Sequence, residues 1–495
     1  MHSKPRYITT TLPYVNADPH IGFALEIVQA DVLARAWRGQ GRDVFFSTGT
    51  DEHGQKIYQK ANEDSKDVQE YVDYYAGRFN DSLKKLNISY DNFIRTTDEH
   101  HLHAAQEMWR RCAEKGDIYK KKYTGLYCVG CEMYVKDNDL VNGECPNHAG
   151  KKPEEIEEEN YFFALSKYQD KLLKYLEQDG VIVPEWRREE AIAFVKNGLE
   201  DFSISREKER MSWGVPVPGD DDQVMYVWFD ALTNYISTLG WPCCEGEGVH
   251  EKGCNFKKFW EDGSSLQAAG KDQVRFQSIM WQAMLMSAGV PRTDEIFYHG
   301  FITSGGQKMS KSIGNVISPF ELIDKYGTDA TRYILLRHVH PVDDADVTWE
   351  KMDEWYNANL ANGLGNLVAR VMKMAEMHLP KQSLLQKIKN LVPRPDVTSA
   401  NLPIEFIEAI ESFEFNKAAD IIWEKIGELD ARIQKDEPFK LIKIDKDAAV
   451  KIIKELVEGL AEIAVLLEPI MPDTSTKVMK AIAENKKPET LFERM

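Results

Sequence analysis

The sequence predicts an α/β protein with a parallel sheet that is interrupted by an insertion and followed by an all-α helix bundle. Three observations predict this fold class. Strands rich in β-branched residues alternate with helical patterns early in the chain, a turn-rich segment then carries three cysteines and a histidine, and amphipathic helical patterns fill the last third.

Composition limits the classes of function. The chain has 495 residues, enough for several cores, and a formal net charge of -18 at pH 7. A nucleic acid would be repelled by the average field of such a surface, so any RNA contact has to use local basic patches. There is no apolar run of the roughly 18 to 20 residues that a membrane span needs, and no apolar stretch of the signal-peptide type at the N-terminus. We therefore expect a cytoplasmic protein with no membrane partner.

The first elements are a strand, a loop and a helix. Residues 7–12 are β-branched and apolar, which predicts a buried strand. The turn-forming loop 13–19 leads into 21–37, where apolar residues recur at helical spacing. A second predicted strand, 43–47, ends at the polar loop 48–54. Ligands bind at the carboxyl ends of strands in an open α/β sheet, so we expect a site at this loop.

Four candidate metal ligands lie in the turn-rich segment. Cys128-x-x-Cys131 is followed by Cys145-x-x-His148, with Gly143 placed for a tight turn. Thiolate and imidazole groups at this spacing close a tetrahedral structural zinc site that has no open coordination position. The surrounding residues are too polar to fold alone, so bound zinc would supply folding energy. We predict one structural Zn²⁺ per chain.

The other cysteines do not predict a second metal site. Cys243, Cys244 and Cys254 lie with His250 in a loop rich in glycine and glutamate, where their adjacency is poor ligand geometry. We interpret that loop as a surface insertion and leave open whether it binds anything. A reducing compartment predicts no disulfides. Cys112 is expected to be a small core residue in a helix.

The first fold resumes after the insertion. Residues 224–229 are apolar and 276–288 have helical spacing, which returns the chain to α/β alternation. The last third predicts a helix bundle, with helices at 352–378, 404–434 and 448–470 and with Pro380, Pro438 and Pro472 as breakers. The predicted domains are a Rossmann-like catalytic domain in two halves (1–115 and 224–300), an insertion (116–223) with its zinc knuckle (128–148), a connector (301–350) and a helical domain (351–495).

Two motifs predict a phosphate site. His20 and Gly22 begin the first helix, where unpaired backbone N–H groups and the helix dipole favour an anion and an imidazole can donate to it. Lys308 and Lys311 lie in a glycine-flanked loop, 308–312, that can close on a triphosphate and stabilise the departing pyrophosphate. The alternatives are a capping or packed histidine and a solvated basic loop.

These two motifs resemble the HIGH and KMSKS signatures of the class I aminoacyl-tRNA synthetases. Within that class the sequence resembles the methionyl-tRNA synthetases from end to end, and the similarity is carried by residues 11–16, 49–54, 212–218 and 226–231. A single zinc knuckle of the Cys-Cys-Cys-His type also occurs in that family. The resemblance implies a methionine–tRNA ligase with methionine, ATP and methionine tRNA as substrates and Mg²⁺ accompanying ATP. The chain ends soon after the predicted bundle, so we expect a monomer.

The resemblance also implies roles for individual residues. Asp51 would bind the substrate's ammonium group as a charge-assisted pair, Asp272 would accept from the ribose hydroxyls, and Gly270 would allow close approach. Arg206 would lie near the reacting groups, with a surface salt bridge as the alternative. The methionine side chain would contact Leu12, Tyr14, Trp228, Ala231, Leu232, Tyr235 and Gln277, each of which could otherwise be ordinary core.

In the helical domain the resemblance implies that Asn359 and Phe439 contact the anticodon, where an aromatic ring can stack on a splayed base. A phenylalanine that only packs is the alternative. Departures from the family pattern are Phe23 for the second signature histidine, Gln277 for a pocket histidine, Phe439 for a tryptophan and Gly363 for an arginine.

Two rival functions remain open. A synthetase for isoleucine, valine or leucine shares this chemistry, but those enzymes carry a large editing domain because one methylene discriminates by only about 1–3 kcal/mol, and the insertion here is small. A non-catalytic RNA-binding or zinc-dependent interaction protein could keep the fold without the activity, since function depends on the site.

Overall fold

A computed structural model describes residues 4–128, 133–135, 140–146, 152–242, 254–309, 314–380 and 402–495. The chain forms two compact units. Unit 1 comprises Met1–Asp18, Phe45–Asp81 and Tyr90–Tyr298, and unit 2 comprises Pro19–Val44, Ser82–Ser89 and His299–Met495. No helix within the described ranges combines the length and the apolar character needed to cross a bilayer.

The strands alternate with helices in the first half of the chain, as the sequence predicts. In chain order the strands are β1 Arg6–Thr10, β2 Val44–Thr50, β3 Asn92–Arg95, β4 Ile118–Cys128, β5 Met133–Val135, β6 Glu154–Phe163, β7 Ile182–Val183, β8 Phe202–Ser203, β9 Ser205–Glu207, β10 Pro216–Val217, β11 Asp220–Met225, β12 Ser264–Gly270, β13 Glu295–His299, β14 Ile302–Ser304, β15 Gln307–Lys308 and β16 Ala345–Asp346.

A six-stranded sheet forms the core of unit 1, in the order β3-β2-β1-β12-β13-β7. The pairs β1–β12, β2–β3 and β7–β13 are all parallel. Strand β1 is buried from Tyr7 to Thr10, which is why its sequence is apolar and β-branched rather than alternating. Strands β1, β2 and β12 are neighbours, so the segments that follow their carboxyl ends meet at one edge of the sheet.

The insertion forms its own antiparallel sheet, in the order β5-β4-β6-β8. Strand β4 ends at Cys128. An antiparallel bridge between Val141 and Glu144 closes a turn in which Asn142 and Gly143 have φ of 55° and 78°. Asn-Gly is the residue pair that such a turn favours, because both positions need positive φ. The turn predicted at Gly143 is therefore confirmed.

The α-helices of unit 1 flank these sheets. They are Gln55–Glu63, Val68–Lys85 (its last residues in unit 2), Glu99–Glu114, Gln169–Leu176, Glu185–Lys196, Val227–Leu232, Asn234–Ser237 and Gln282–Ala288, with shorter 3₁₀ or π turns at Leu165–Tyr168, Lys257–Glu261, Lys271–Gln273 and Phe276–Trp281. Cys112 is fully buried in Glu99–Glu114, as predicted, and burial raises the pKa of its thiol to about 12.

Unit 2 is mainly helical. Its helices are Ile21–Gly39, Pro319–Tyr326, Thr328–Arg337, Trp349–Trp355, Asn366–His378, Ile404–Glu411, Phe415–Asp436, Pro438–Leu441, Lys446–Leu467 and Pro472–Glu484, with a π-helical segment at Tyr356–Gly365. Helices Asn366–His378, Phe415–Asp436, Lys446–Leu467 and Pro472–Glu484 pack on one another as the predicted bundle.

One predicted helix differs from the structure. The helix predicted at 404–434 breaks between Glu411 and Phe415, because Phe413 adopts a φ of 61° and both phenylalanines are buried. No glycine or proline marks that break in the sequence. Pro472 lies between two helices, as predicted for a breaker, and it occupies the first turn of Pro472–Glu484, where its missing N–H leaves no helical hydrogen bond unmade.

The expectation that the chain holds no disulfide is wrong, because Cys254 is disulfide-bonded. The reducing-compartment argument concerns the average redox environment, and it does not exclude a disulfide at a single cysteine. Cys243, Cys244 and His250 lie outside the described residues.

Candidate active site

A cluster of predicted pocket residues surrounds the carboxyl ends of β1 and β2 in unit 1. Tyr14 and Asp51 form a parallel bridge beyond the ends of these strands. The Asp51 N–H donates to the Pro13 carbonyl at 3.0 Å, and the Val15 N–H donates to the Asp51 carbonyl at 3.2 Å. The backbone thus holds the Asp51 carboxylate beside Tyr14, and its side chain is buried.

Aromatic rings form the next part of the pocket. The rings of Tyr14 and Trp228 meet edge to face, with centroids 6.0 Å apart. The Phe276 ring stacks on the Trp228 indole, with the ring centroids 3.7 Å apart. Ala231 and Leu232 are buried on the same short helix as Trp228. Phe276 was missed by the sequence reasoning, although its position beside Gln277 is the signal that could have found it.

Gln277 and Tyr235, two further predicted pocket residues, are joined by a buried hydrogen bond. The Gln277 amide Nε2 donates to the Tyr235 hydroxyl at 2.7 Å, and both residues are buried. The Tyr235 backbone carbonyl accepts from the Tyr7 hydroxyl at 2.8 Å, which ties this wall to β1. An amide therefore makes the hydrogen bond at the position where the family pattern has an imidazole.

Two buried polar atoms in this region have no hydrogen-bond partner among the described residues. Within the described part of the chain, Trp228 Nε1 and Gln277 Oε1 are buried and have no hydrogen-bond partner. A buried donor or acceptor without a partner is unfavourable by about 1–3 kcal/mol, so each such group calls for an explanation such as a ligand or an ordered water. Both groups belong to residues predicted to contact the substrate.

The predicted ribose segment lies at the end of the neighbouring strand. Gly270 is the last residue of β12 and is buried, whereas Asp272 is exposed in the 3₁₀ turn that follows. The Asp272 carboxylate accepts a hydrogen bond from Gln273 Nε2 at 3.2 Å. An exposed carboxylate at the carboxyl end of a parallel strand is well placed to accept from a ligand's hydroxyl groups.

Arg206 is not a surface salt bridge, because only 3% of it is exposed. It donates to Ser203 Oγ at 2.9 Å and to the Ser205 carbonyl at 2.6 Å. Its guanidinium lies 4.4 Å from the centre of the Tyr226 ring, two residues before Trp228. The Arg206 guanidinium, which belongs to the insertion, therefore lies next to the helix that contains Trp228.

His20 caps the helix that it begins in unit 2. Its Nδ1 accepts from the N–H groups of Gly22 at 3.0 Å and of Phe23 at 3.3 Å. An imidazole that accepts at Nδ1 carries its proton on Nε2 when it is neutral, so that nitrogen is a donor. The ring is exposed. Capping and donation to a phosphate, posed as alternatives in the sequence, are therefore compatible in one side chain.

The structure gives a steric reason for glycine at position 22. A Cβ at this position would lie 2.9 Å from Cε1 of His20, closer than side chains tolerate. Glycine thus leaves room for the histidine ring to fold back onto the first turn. The amides expected to be unpaired are engaged, since Gly22 and Phe23 donate to His20 and the Ile21 N–H donates to the Ile317 carbonyl at 2.9 Å.

That last hydrogen bond brings the two signatures together, because Ile317 follows the lysine loop within unit 2. Strand β15 ends at Lys308 and pairs with Thr303 of β14. Gly305, Gly306 and Gly314 have φ of 62°, 73° and 73°, the conformation that favours glycine. These three positions therefore use a backbone conformation that other residues rarely adopt. Lys311 and the Lys308 side chain lie outside the described part of the structure.

Two of the four predicted zinc ligands are described. Cys128 and Cys145 are buried, with 2% and 1% exposure, in a segment whose neighbours are largely exposed. Cys131 and His148 lie outside the described residues, so the described part of the chain holds no complete group of three metal ligands. Two buried thiols beside a knuckle-like turn suit the donor set of structural zinc.

The candidate anticodon residues differ in their surroundings. Phe439 is 47% exposed and follows Pro438 and Glu437, whose φ is 39°. Phe439 is therefore not a buried core residue, and part of its ring faces solvent. The Asn359 amide is engaged on both sides, because its Nδ2 donates to the Trp355 carbonyl at 3.0 Å and its Oδ1 accepts from Arg337 at 3.4 Å.

Comparison with known proteins agrees with this geometry. A family model described as tRNA synthetases class I (M) matches residues 6–155 and 148–372. The chain is 41% identical over 487 residues to a methionine–tRNA ligase of Caldanaerobacter subterraneus subsp. tengcongensis, spanning 97% of this chain and 74% of the relative. It is 38% identical over 490 residues to that of Rhizobium meliloti, spanning 97% and 92%.

A solved structure extends the similarity to three dimensions. The Mycobacterium tuberculosis methionyl-tRNA synthetase in complex with methionyl-adenylate has a TM-score of 0.85 and 36% identity to this chain, covering 96% of it and 93% of the solved chain. Together with the parallel sheet and the two signatures, this similarity defines a class I aminoacyl-tRNA synthetase. Within that class, the chain belongs to the methionine–tRNA ligase family.

Proposed function

We propose that this chain attaches methionine to its cognate tRNA in two steps and that the pocket of unit 1 binds the methionine. The observation that carries the proposal is the pocket's composition: a buried carboxylate, Asp51, lies beside an aromatic wall that holds the buried polar atoms of Trp228 and Gln277. A zwitterion with an unbranched thioether needs an anion for its ammonium group and aromatic or aliphatic surface for its sulfur.

In the first step a carboxylate oxygen of methionine attacks the α-phosphorus of ATP. A bond forms between that oxygen and phosphorus, the bond to the β-phosphate oxygen breaks, and pyrophosphate leaves. The protein supplies alignment and charge stabilisation rather than a nucleophile. Nε2 of His20, with Lys308 and Lys311, would hold the phosphates, and Asp272 with Gly270 would hold the ribose.

In the second step a hydroxyl of the terminal ribose of the tRNA attacks the carbonyl carbon of the adenylate, and AMP leaves. Arg206 would stabilise the charge near the reacting carboxyl group. Phe439 is the better supported of the two anticodon candidates, because its ring is exposed while the Asn359 amide already has partners. Mg²⁺ would accompany ATP and neutralise charge on the phosphates.

Cys128, Cys131, Cys145 and His148 would hold one structural zinc, which would supply folding energy to the insertion. We further propose that the protein works in the cytoplasm as a monomer, with the domains predicted from the sequence.

Pyrophosphate exchange with each amino acid in turn tests the proposal, followed by aminoacylation of methionine tRNA. We expect exchange with methionine alone and methionine-dependent charging. Exchange only with isoleucine, valine or leucine would contradict the substrate assignment. Binding of tRNA without any exchange would favour the non-catalytic alternative.

A further inference from the structure

We infer that Asp230, held between His53 and His101, is a positioning residue that sets the geometry of the methionine pocket. The inference rests on the proposed function of that pocket. None of these three residues is part of the predicted substrate contacts.

The three side chains form a compact buried cluster in unit 1. Nδ1 of His53 lies 2.6 Å from Oδ2 of Asp230, and Nε2 of His101 lies 2.8 Å from Oδ1. The side chains of His53, His101 and Asp230 are 6%, 0% and 1% exposed. Since a carboxylate only accepts, each histidine donates to one of its oxygens.

The carboxylate joins elements that bind different parts of the substrate. His53 is two residues beyond Asp51, and Asp230 is two residues beyond Trp228 and adjacent to Ala231. His101 belongs to the helix Glu99–Glu114, which carries none of the predicted contacts. Asp230 therefore fixes the loop of the ammonium site to the helix of the side-chain pocket, and fixes both to a third element.

The same loop has further restraints that leave it little freedom. Arg95 donates to both oxygens of Glu52, at 2.6 Å and 2.8 Å. The Trp213 indole donates to the Glu52 carbonyl at 2.6 Å, and its ring lies 5.7 Å from that of His53. Sites that must hold a ligand in one geometry are built this way, from contact groups supported by a second layer of hydrogen bonds.

The buried charge of the Asp230 carboxylate is unfavourable unless its hydrogen bonds are complete. Burial on its own would raise the pKa of the Asp230 carboxyl, but His53 and His101 outweigh that effect and keep the pKa below its usual range. Ser237 completes the arrangement, with its Oγ 2.9 Å from Nδ1 of His101. An apolar residue would be the simpler way to pack this position, whereas the carboxylate adds directional bonds.

Asp230→Asn tests the inference, because the amide keeps the shape and replaces one acceptor with a donor that faces a donating histidine. We expect the Kd for methionine, measured by calorimetry, to rise by about tenfold or more, since a bond to a charged group is lost. The Kd for ATP should stay within about twofold. A change confined to methionine distinguishes positioning from a general loss of stability.

Asp117→Asn is the matched control. Asp117 is also a buried carboxylate of unit 1, accepting from Tyr168 and Ser287, but it lies outside the pocket. This variant should lose stability while keeping its Kd for methionine. An unchanged Kd in Asp230→Asn, or equal weakening in the two variants, would overturn the inference.

If Asp230→Asn does not fold, the inference is tested by comparing the Kd for methionine of His101→Gln with that of His101→Leu. Glutamine keeps a donor for Asp230, so its Kd for methionine should be lower than that of the leucine variant. Equal values would overturn the inference. Failure of the proposed function would be distinguishable, since the wild-type protein would then not bind methionine at all.

Discussion

At the scale of single residues, the proposed ammonium site depends on Asp51. Its carboxylate is 2% exposed and its backbone is fixed by hydrogen bonds on both sides of the peptide. A buried carboxylate of this kind is pre-oriented, so the substrate's ammonium group gains a charge-assisted bond without an ordering cost.

Asp51→Asn should lower kcat/KM for methionine in pyrophosphate exchange by about 10- to 150-fold, because a bond to a charged group contributes about 1.5–3 kcal/mol. Asp179→Asn is the control, because that carboxylate is fully exposed in the same unit. It should leave the rate unchanged. Similar rates for wild type and Asp51→Asn would exclude Asp51 from the ammonium site.

The phosphate site depends on residues in both signatures. Phe23 occupies the position of the second signature histidine and is 8% exposed. One phosphate donor of the family pattern is thus replaced by a packing residue. Lys308 and Lys311 are then expected to provide more of the charge stabilisation than in typical relatives.

Lys311→Ala should reduce adenylate formation by about 10²–10³-fold, the usual effect of removing one preorganised group at developing charge. Methionine binding should be largely intact, because the loop contacts phosphate. Lys417→Ala, an exposed lysine of unit 2 paired with Glu414, is the matched change. Single-turnover measurement of the rate of adenylate formation distinguishes Lys311→Ala from Lys417→Ala. A near-normal rate in Lys311→Ala would rule out the role assigned to Lys311.

At the scale of structural elements, the insertion needs more than its own apolar contacts. Strands β4 and β6 pair along ten residues, yet most side chains of Ile118–Cys128 are exposed or half-buried. Because this strand buries little apolar surface, the proposed zinc at the two buried cysteines would add stability to this part of the insertion.

The purified protein should contain one zinc per chain by elemental analysis. Cys128→Ser should lose the metal and unfold at a lower temperature, because metal binding and folding of the segment are coupled. Cys112→Ser provides the control, since this equally buried thiol lies in a helix outside the knuckle. That variant should lose stability but keep its zinc, and a metal-free wild-type protein would refute the assignment.

The turn before Pro438–Leu441 exposes Phe439. Glu437 takes a left-handed conformation that ends the helix Phe415–Asp436, and the proline starts the next one. The aromatic ring in the first turn is thus displayed to solvent, which is the arrangement that a stacking residue needs.

Phe439→Ala should lower kcat/KM for tRNA by about 5- to 150-fold, because stacking on one base contributes about 1–3 kcal/mol. Pyrophosphate exchange without tRNA should be unaffected. Ile444→Ala removes an even more exposed apolar side chain nearby, with 85% exposure, and should have no effect. Equal charging by Phe439→Ala and wild type would show that the ring does not contact the anticodon.

At the scale of the whole molecule, a buried ion pair holds distant parts of unit 2 together. Oδ2 of Asp31, in the helix Ile21–Gly39, lies 2.7 Å from Nη2 of Arg332, and neither side chain is exposed. Arg332 also donates to the carbonyls of Ile470, Leu86 and Pro469. One guanidinium therefore connects three segments that are far apart in sequence.

Arg332→Met should destabilise the protein by about 3–5 kcal/mol near pH 7, because it leaves the Asp31 carboxylate buried without this partner. Burial alone would raise the pKa of Asp31, but Arg332 and Arg35 outweigh it and lower that pKa. The stability from this group is therefore present above the unfolded pKa and is lost as pH falls through the folded one.

The loss of unfolding free energy in Arg332→Met should be smaller at about pH 5 than at about pH 8, because the Asp31 carboxyl can take up a proton once Arg332 is removed. Urea unfolding at the two pH values measures this difference. Arg432→Met is the control, since its pair with Glu455 is more than a third exposed on both sides, and it should change stability by about 1 kcal/mol or less. Equal losses at both pH values would contradict the prediction.

The sequence by itself determined the fold class, the order of the elements and the two signatures, because periodicity, glycine flanks and ligand spacing are local properties of the chain. The four knuckle ligands follow from the same kind of local pattern, whereas the role of Asp51 came from the resemblance to the family. These are the features that a motif of a few residues can specify.

Only the tertiary structure decided how those residues are used. It showed that Gly22 makes room for the His20 ring, that Phe276 stacks on Trp228, and that Asn359 is occupied by internal hydrogen bonds. It also placed Asp230 between two histidines that lie 177 and 129 residues away in the chain. Such contacts arise from packing between distant elements, and no local pattern records which partners packing will bring together.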